Sequence, residues 1–465
     1  MDGVGSAAWI HRVVGCVVGS AVGDALGAPF EFGPAGQWSK RFPDPVHEGT
    51  GEMIGGGGFG WAPGQFTDDT EMAVIVAESL LACGGIDPDD QLERFRAWGT
   101  TASDVGNLTR EVLGSGLSAD QAALHVLRSR AGRHTAGNGS IMRAAPGAVH
   151  FAAAGREATM AAAHRLSAVT HADPLCQWAV AIQHELVRCL LEGTEVDTAV
   201  AGALDALPPD VARVYVPLLE PGWVPSPAAP SNGSAMGALA QAVWAMRSHS
   251  TFEQVLAAVI DLGDDTDSVA AVAGALAGAR VGVGAVPVRW QQVLHGHVTG
   301  VDGRSHRYDV AALRQLALAL VGAVDGEHTS APRRGAPVAD EIPDDGPFVA
   351  AIAAVGDGQW ARLRNVLDEL SIRAPGWPEY ADEARVLMDL LYEMGLVVPF
   401  DWPTWFMTSR FHGGVDGDVS MADTVRLITV FLRADRFSEG EFGTRIADGT
   451  LPRLLEGLLA GVRPA

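Results

Sequence analysis

The stretch GCVVGSAVGDALG, residues 15–27, carries a glycine at every fourth position and is otherwise almost entirely apolar. An α-helix has 3.6 residues per turn, so these four glycines fall along one gently drifting stripe of its surface. Glycine is a poor helix former, and four of them on one face indicate tight helix packing or close approach of a ligand to the backbone. The glycines are Gly15, Gly19, Gly23 and Gly27.

The rest of the chain also reads as helical, because apolar residues recur with helical periodicity and long alternating strand patterns are absent. We therefore expect an all-α fold with a large domain over residues 1–325 and a smaller, mostly helical domain over 347–465. The polar, Pro/Gly-rich segment 326–346 is predicted to be a linker. Alanine-rich stretches favour helix by propensity, and they cover residues 71–82, 157–170, 176–192, 235–247 and 268–281.

The composition restricts the partners and the compartment. The 465 residues carry a formal net charge of -23, which argues against a broad nucleic-acid-binding surface because such surfaces need clustered Lys and Arg. The apolar stretch 13–30 contains Asp24 and is broken by Pro29, so we expect no membrane span. The cysteines lack zinc-ligand spacing and indicate free thiols in a reducing cytoplasm; they are Cys16, Cys83, Cys176 and Cys189.

Two acidic clusters, QFTDDTEM at 65–72 and GDDTDSV at 263–269, each precede an alanine-rich run. Either cluster alone is typical of a helix N-cap, since Thr and Asp cap helices and Asp68 with Glu71 has capping-box spacing. A cap needs one side-chain oxygen, however, and so many adjacent carboxylates are costly unless cations neutralise them. Hard ions such as Mg²⁺ and Mn²⁺ prefer oxygen ligands. The clusters are therefore two separate caps or two walls of one two-metal site.

The segment AGNGSIMRAAP, residues 136–146, is a candidate phosphate-binding loop. It precedes a helical run, where backbone N–H groups and a helix N-terminus can face an anion. An ordinary Asn-Gly turn is the alternative interpretation. The residues concerned are Gly137, Asn138, Gly139 and Ser140.

Two single residues are further candidates for the same site. Glu31 stands between Phe30 and Phe32, where burial would favour a role as general base, although a surface glutamate after a turn is the alternative. His171, in SAVTHADP, is by itself equally consistent with a core or loop histidine.

Five blocks, taken together and in order, resemble the ADP-ribosylglycohydrolases, the family of dinitrogenase reductase-activating glycohydrolase and the ADP-ribose-acceptor hydrolases. The resemblance implies an orthogonal all-α bundle around two Mg²⁺ ions, with Mn²⁺ as a possible substitute. It also implies hydrolysis of the bond between ADP-ribose and an acceptor, foremost a protein side chain or else a small molecule. The blocks are GCVVGSAVGDALGAPFEF, PGQFTDDTEMA, GNGSIMRAAP, LSAVTHADP and VIDLGDDTDSVAAVAGALAGA.

The resemblance further implies roles for individual residues. The implied metal ligands are Thr67, Asp68, Asp69, Asp265, Asp267 and Ser268. The implied catalytic residues are Glu31, Asp68, Asp69 and Asp267. The residues implied to embrace ADP-ribose are Gly137, Asn138, Gly139, Ser140 and His171.

This chain departs from the family pattern at two positions of the last block, which usually reads Gly-Gly-Asp-Thr-Asp-Thr. Ser268 replaces a threonine but keeps the hydroxyl oxygen, so it should still bind metal. Asp264 replaces a glycine and adds negative charge, which would either tighten metal binding or hamper an anionic substrate. A non-catalytic ADP-ribose-binding module and an unrelated two-metal phosphohydrolase are the alternative functions. The region 347–465 lies outside the resemblance, and the sequence indicates no chemistry for it.

Overall fold

The computed structural model describes residues 4–130, 135–323, 345–372, 382–398, 419–437, 445–446 and 449–461, together with Trp405, Phe411 and Val415. Contacts divide the chain into two compact units, one comprising residues 1–57 and 61–337 and the other 58–60 and 338–465. The predicted linker 326–346 lies almost entirely outside the described residues and stays a prediction.

The described part of the first unit is a helical assembly with one β-hairpin, which matches the predicted all-α class. Each of the five alanine-rich stretches lies largely within a helix, as predicted. The first helices are α1 (Ala7–Gly27), α2 (Gln37–Arg41), α3 (Asp68–Cys83), α4 (Pro88–Gly99), α5 (Asn107–Gly114), α6 (Ala119–Ser129), α7 (Ala145–Phe151) and α8 (Arg156–Ala168). The next are α9 (Pro174–Leu191), α10 (Val196–Leu204), α11 (Pro209–Leu219), α12 (Ala235–Ser248), α13 (Phe252–Ile260), α14 (Thr266–Val281), α15 (Val288–Val293) and α16 (Val310–Leu320).

The glycine stripe of α1 packs directly on the backbone of α14, and the two helices run antiparallel. A Cβ atom added at Gly23 would lie 2.0 Å from the carbonyl oxygen of Ala270, and one at Gly19 would lie 2.4 Å from that of Gly274. The contact is reciprocal, since a Cβ atom at Gly278 would lie 1.9 Å from the carbonyl oxygen of Gly15. The stripe therefore serves helix packing, the first of the two alternatives that the sequence left open.

The first helix is the apolar centre of this unit. Residues Ala7–Phe30 are long and apolar enough to cross a membrane by length and composition, but 94% of the most apolar window is buried inside the protein. Burial of this kind is what the core helix of a packed bundle shows. Within this helix Asp24 is completely buried, and its carboxylate forms part of the site described below.

The hairpin consists of β1 (His295–Thr299) and β2 (Ser305–Asp309), which pair antiparallel. The sequence did not reveal it, because the inward positions of β1 are Gly296 and Val298, and glycine contributes no apolar signal to the alternation. The hairpin bears on the site because the amide of Phe66 donates to the carbonyl oxygen of His295, at 2.9 Å. This bond holds the chain just before α3 begins.

The described part of the second unit is helical, as predicted for the C-terminal region, and it has an apolar core of its own. Leu363, Leu391 and Ile428 are among the fully buried residues of that core. Its helices are α17 (Gly346–Ala353), α18 (Asp357–Ile372), α19 (Asp382–Glu393), α20 (Met421–Phe437) and α21 (Thr450–Gly461).

Candidate metal-binding and catalytic site

The N-terminus of α3 is capped by a carboxylate from another helix. Asp24 of α1 accepts hydrogen bonds from the amide and hydroxyl of Thr67, at 3.0 and 2.8 Å. It also accepts from the amide and hydroxyl of Thr70, at 3.0 and 2.5 Å. Thr67 occupies the N-cap position, but its side chain caps no amide of α3. The cap interpretation of the first acidic cluster is therefore wrong, and its side chains can take part in the site.

A first group of carboxylates gathers around this point. Oxygen atoms of Asp24, Asp69 and Asp267 all lie within 4.8 Å of one another, and the three residues are buried. The hydroxyl of Thr67 lies 3.2 Å from Oδ2 of Asp69 and 3.5 Å from Oδ2 of Asp267. The two acidic clusters of the sequence, some 200 residues apart, thus meet in space.

A second group shares one member with the first. Oxygen atoms of Glu31, Asp265 and Asp267 also lie within 4.8 Å of one another, and all three residues are buried. Asp267 reaches both groups because Gly27, the last glycine of the stripe, leaves room for α14 to begin there. A Cβ atom at Gly27 would lie 2.5 Å from Cα of Asp267. The helix contact therefore builds the site.

The two remaining predicted metal ligands are Ser268 and Asp68. The amide of Ser268 donates to Oδ1 of Asp267 at 2.9 Å, and its side chain also hydrogen-bonds to Asp69 and Asp265. Among the described residues, Asp68 belongs to neither carboxylate group. It is buried at the start of α3, where Asp104 and Asp69 act on it electrostatically.

The electrostatics of the site favour bound cations. Burial raises the pKa of Asp69 and of Asp267 well above the usual value, and repulsion by neighbouring carboxylates raises both further. Burial also raises the pKa of Asp24, to about 6, against the opposing effect of its hydrogen bonds. Within the described part of the chain, Oδ1 of Asp68 and Oδ1 of Asp69 are buried without a hydrogen-bond partner. These carboxylates offer many oxygen atoms, concentrate negative charge and lack some hydrogen-bond partners, so they fit hard divalent cations.

The predicted phosphate-binding loop adjoins the second carboxylate group. Nδ2 of Asn138 donates to Oδ2 of Asp265 at 2.9 Å. The hydroxyl of Ser140 accepts from the hydroxyl of Ser167, also at 2.9 Å. On the other side of the loop, a Cβ atom at Gly139 would lie 2.9 Å from Cε1 of His171, so glycine is what allows the imidazole to lie there. Gly137 pairs with Ser234 in an isolated antiparallel bridge.

Two residues of the site were not singled out from the sequence. Asp24 had a usable signal, because it is the only charged residue within 15–27, and a lone charge in an apolar helix is seldom buried without a partner. Asn232 had none beyond its Asn-Gly turn. Its Oδ1 accepts from the amide of Asp265 at 3.1 Å, and its Nδ2 donates to the carbonyl oxygen of Gly263 at 2.9 Å.

The backbone that presents Glu31 is strained at two non-glycine residues. Phe32 and Asp264 have φ angles of 65° and 62°, in the left-handed region. The two segments pair, since the amide of Phe32 donates to the carbonyl oxygen of Asp264 and the amide of Asp264 donates to that of Gly33, at 2.8 and 2.9 Å. Strain of this kind often marks functional sites. It also explains physically why a glycine suits position 264.

We expect Asp264→Gly to leave the protein as stable as before or up to about 1 kcal/mol more stable, because glycine adopts the left-handed region without steric cost. The Asp264 side chain is exposed, so the rate of the hydrolysis that the resemblance implies should change by no more than a few-fold. Asp264→Ala is the matched variant, since it removes the charge and keeps the strain, and it should be less stable than Asp264→Gly. Urea unfolding measures the difference. A large activity change common to both variants would show instead that the charge tunes the site.

Comparison with known proteins agrees with this geometry. The family model described as ADP-ribosylglycohydrolase matches residues 5–330. The chain is 30% identical to ADP-ribosylarginine hydrolase Tri1 of Serratia proteamaculans over 60% of this chain and 74% of the relative. It is 31% identical to ADP-ribosyl-[dinitrogen reductase] glycohydrolase of Rhodospirillum rubrum over 66% of this chain and 96% of the relative.

A solved structure and a second family model complete the comparison. The structure, titled ADP-ribosylglycohydrolase-related protein complex, matches with a TM-score of 0.51 and 32% identity, over 68% of this chain and 98% of that chain. Residues 359–463 match a family of unknown function. Since the first family model covers most of the chain and the fold and site agree with it, the protein belongs to the ADP-ribosylglycohydrolase family, as its five sequence blocks predicted.

Proposed function

We propose that the protein is a divalent-metal-dependent hydrolase that releases ADP-ribose from a modified arginine side chain. The observation that carries the metal dependence is the pair of buried carboxylate groups that share Asp267. The arginine linkage is supported by two relatives named ADP-ribosylarginine hydrolase, at 30% and 31% identity. The four free thiols support a reducing, cytoplasmic location.

Two Mg²⁺ ions, or Mn²⁺ in their place, fit the oxygen atoms gathered at this site, and the ligands we propose are those implied by the sequence. They are Thr67, Asp68, Asp69, Asp265, Asp267 and Ser268. Bound there, the ions would supply positive charge that orients ribose hydroxyls and offsets the repulsion between an anionic ligand and this acidic protein.

Glu31 is the residue we propose for the chemical step. Its buried carboxylate can take a proton from the attacking water, or it can hold the substrate beside the scissile bond. The surrounding carboxylates stabilise the positive charge that develops on the sugar as the bond breaks. Glu31→Gln separates the two roles: loss of a general base lowers kcat, whereas loss of a substrate contact raises KM.

The loop and His171 are proposed to bind the rest of ADP-ribose. Backbone N–H groups of Gly137, Gly139 and Ser140 can donate to phosphate oxygens, as glycine-rich turns before helices do, while the amide of Asn138 donates to the carbonyl oxygen of Gly233. Asn138 ties this loop to Asp265, so binding of the nucleotide would place the ribose next to the carboxylates.

The deciding experiment is a panel of substrates with arginine-, serine- and nucleic-acid-linked ADP-ribose, assayed with Mg²⁺, with Mn²⁺ and with a chelator. We expect release of free ADP-ribose from the arginine-linked substrate, and none with the chelator. Release from another linkage would overturn the arginine assignment. Tight binding of ADP-ribose without turnover would instead indicate a binding module, and release of inorganic phosphate from phosphate esters would indicate a phosphohydrolase.

The raised carboxylate pKa values predict how the stability of the metal-free protein depends on pH. Asp24, Asp69 and Asp267 have higher pKa values in the folded protein than the ordinary 3.8. The folded state therefore binds more protons than the unfolded state above about pH 4, and this contribution to stability is lost as pH rises through the folded pKa values. With a chelator present, we expect the melting temperature to fall between about pH 5 and pH 8.

Mg²⁺ should reverse this loss, because metal ions and protons compete for the same oxygens. The increase in melting temperature on adding Mg²⁺ should consequently be larger at about pH 8 than at about pH 5. Differential scanning calorimetry with and without Mg²⁺ at each of the two pH values gives the four melting temperatures to be compared. An equal Mg²⁺ effect at the two pH values would contradict a site made of these carboxylates.

A further inference from the structure

Arg143 is a buried cation at the edge of the site, where the carboxylate of Asp68 acts on it electrostatically. It is 2% exposed, and its guanidinium lies over the ring of Phe95, 4.5 Å from the ring centroid. One of its N–H groups donates to the hydroxyl oxygen of Thr170 at 2.7 Å, and another lies 3.8 Å from Sδ of Met72. Such a costly burial of a charge calls for a role.

The hydroxyl of Thr170 links this cation to His171. Its oxygen lies 2.8 Å from Nδ1 of His171, and Thr170 is also buried. A guanidinium can only donate, so the hydroxyl oxygen accepts from Arg143. Within the described part of the chain, the hydroxyl proton has no other acceptor than Nδ1. If Nδ1 carried a proton, the Thr170 proton would be buried without a partner, which is unfavourable.

The direction of these bonds determines the chemistry of the opposite ring edge. Because Nδ1 accepts, the proton of the neutral imidazole lies on Nε2. That edge faces the loop: a Cβ atom at Gly139 would lie 3.1 Å from Nε2, and one at Gly137 would lie 3.9 Å from it. Burial, together with the nearby Arg143, lowers the pKa of His171 to about 3. The ring is thus neutral near physiological pH, with Nε2–H as its donor.

We propose that Arg143 and Thr170 are positioning residues that hold His171 in the Nε2–H tautomer, so that it donates a hydrogen bond to an oxygen of bound ADP-ribose. The inference rests on the proposed function for its ligand, but the tautomer itself is a property of the free protein. The device makes ligand binding independent of histidine protonation, since a neutral donor neither gains nor loses charge near physiological pH.

The test uses three threonine variants of the full-length chain. Thr170→Val removes the hydroxyl and keeps the shape, whereas Thr170→Ser restores the hydroxyl. Thr159→Val is the matched control, because Thr159 is equally buried, on the preceding helix α8, and its hydroxyl donates to the carbonyl oxygen of Phe151 at 2.8 Å. This variant loses a hydroxyl hydrogen bond of a buried threonine, but that bond does not involve His171.

The first measurement is the tautomer of His171, from two-bond ¹⁵N–¹H correlation spectra of histidine-labelled protein, with the signal assigned from its loss in His171→Asn. We expect the Nε2–H tautomer in the wild-type, Thr170→Ser and Thr159→Val proteins, and a mixture of both neutral tautomers in Thr170→Val. An Nδ1–H tautomer or a charged ring in the wild-type protein near neutral pH would overturn the proposal.

The second measurement is the affinity for ADP-ribose by titration calorimetry with Mg²⁺ present. Thr170→Val should bind about tenfold more weakly, equivalent to ~1.4 kcal/mol, and Thr170→Ser and Thr159→Val should bind like the wild type. If Thr170→Val kept the wild-type affinity and the wild-type tautomer, Arg143 and Thr170 would not position His171. The proposed function would be unaffected by that result. A wild-type protein that binds no ADP-ribose would overturn the proposed function, whatever the tautomer.

Discussion

Asp267→Asn should lower the rate of ADP-ribose release by at least about 1,000-fold, equivalent to ~4 kcal/mol of transition-state stabilisation. Asp267 is the residue common to both carboxylate groups, so its loss removes one negative ligand from each. Asparagine keeps the shape and can still accept the hydrogen bond from the amide of Ser268. The effect should therefore come from lost charge and lost metal binding, while the fold persists.

Thermal melting distinguishes this loss from unfolding. Without metal, Asp267→Asn should melt at or above the wild-type temperature, because the substitution removes a buried charge that repels Asp69 and Asp265. With Mg²⁺, the wild-type protein should gain stability and Asp267→Asn should not. Glu185→Gln is the matched control: Glu185 is also completely buried, but its ion pairs are with Arg156 and Arg188, away from the carboxylate groups. This variant should lose stability and keep its activity. An active Asp267→Asn protein would refute the shared site.

Gly23→Ala should destabilise the protein by about 3 kcal/mol or more. The added Cβ atom would lie 2.0 Å from the carbonyl oxygen and 2.5 Å from the carbonyl carbon of Ala270. Both are backbone atoms inside a helix and cannot rotate away, so α1 and α14 must separate. Because Asp24 follows directly and Asp267 lies on α14, separation should also weaken metal binding.

Gly114→Ala is the control for this substitution. Gly114 is the last residue of α5, and a Cβ atom there would meet nothing within 4 Å. Alanine should leave stability unchanged or raise it by up to about 1 kcal/mol, since it restricts the unfolded chain. Urea unfolding of both variants compares the two free energies. A Gly23→Ala protein as stable as Gly114→Ala would mean that the helices are not in backbone contact.

Much of the fold followed from local pattern. Helical periodicity and alanine content placed the main helices, and the glycine stripe indicated either a close helix contact or close approach of a ligand to the backbone. The hairpin at 295–309 was missed because Gly296 occupies one of the two inward positions of its first strand. Only one inward apolar side chain remains, which is too few to show the alternation typical of a strand.

The candidate site was predictable in its residue types and less so in its connections. Paired carboxylates with hydroxyls indicated a metal site, and the family resemblance implied roles for two further candidates, Glu31 and His171. The role of Asp24 was not visible, because its four donors belong to Thr67 and Thr70, more than 40 residues away. Nor could the sequence show that the side chains at the two N-cap positions, Thr67 and Asp265, do not cap their own helices.

By itself, then, the sequence determined the helical class, the glycine stripe and the two acidic clusters, because these depend on residue type and on the spacing of a few positions. Only the tertiary structure decided which carboxylates meet, that Asp267 belongs to both groups, and that Thr170 connects Arg143 to His171. The physical reason is that metal sites and hydrogen-bond relays depend on distances of a few ångströms between side chains. The distances within the carboxylate groups depend on the packing of α14 against the glycine stripe of α1, and the spacing of residues along the sequence does not specify them.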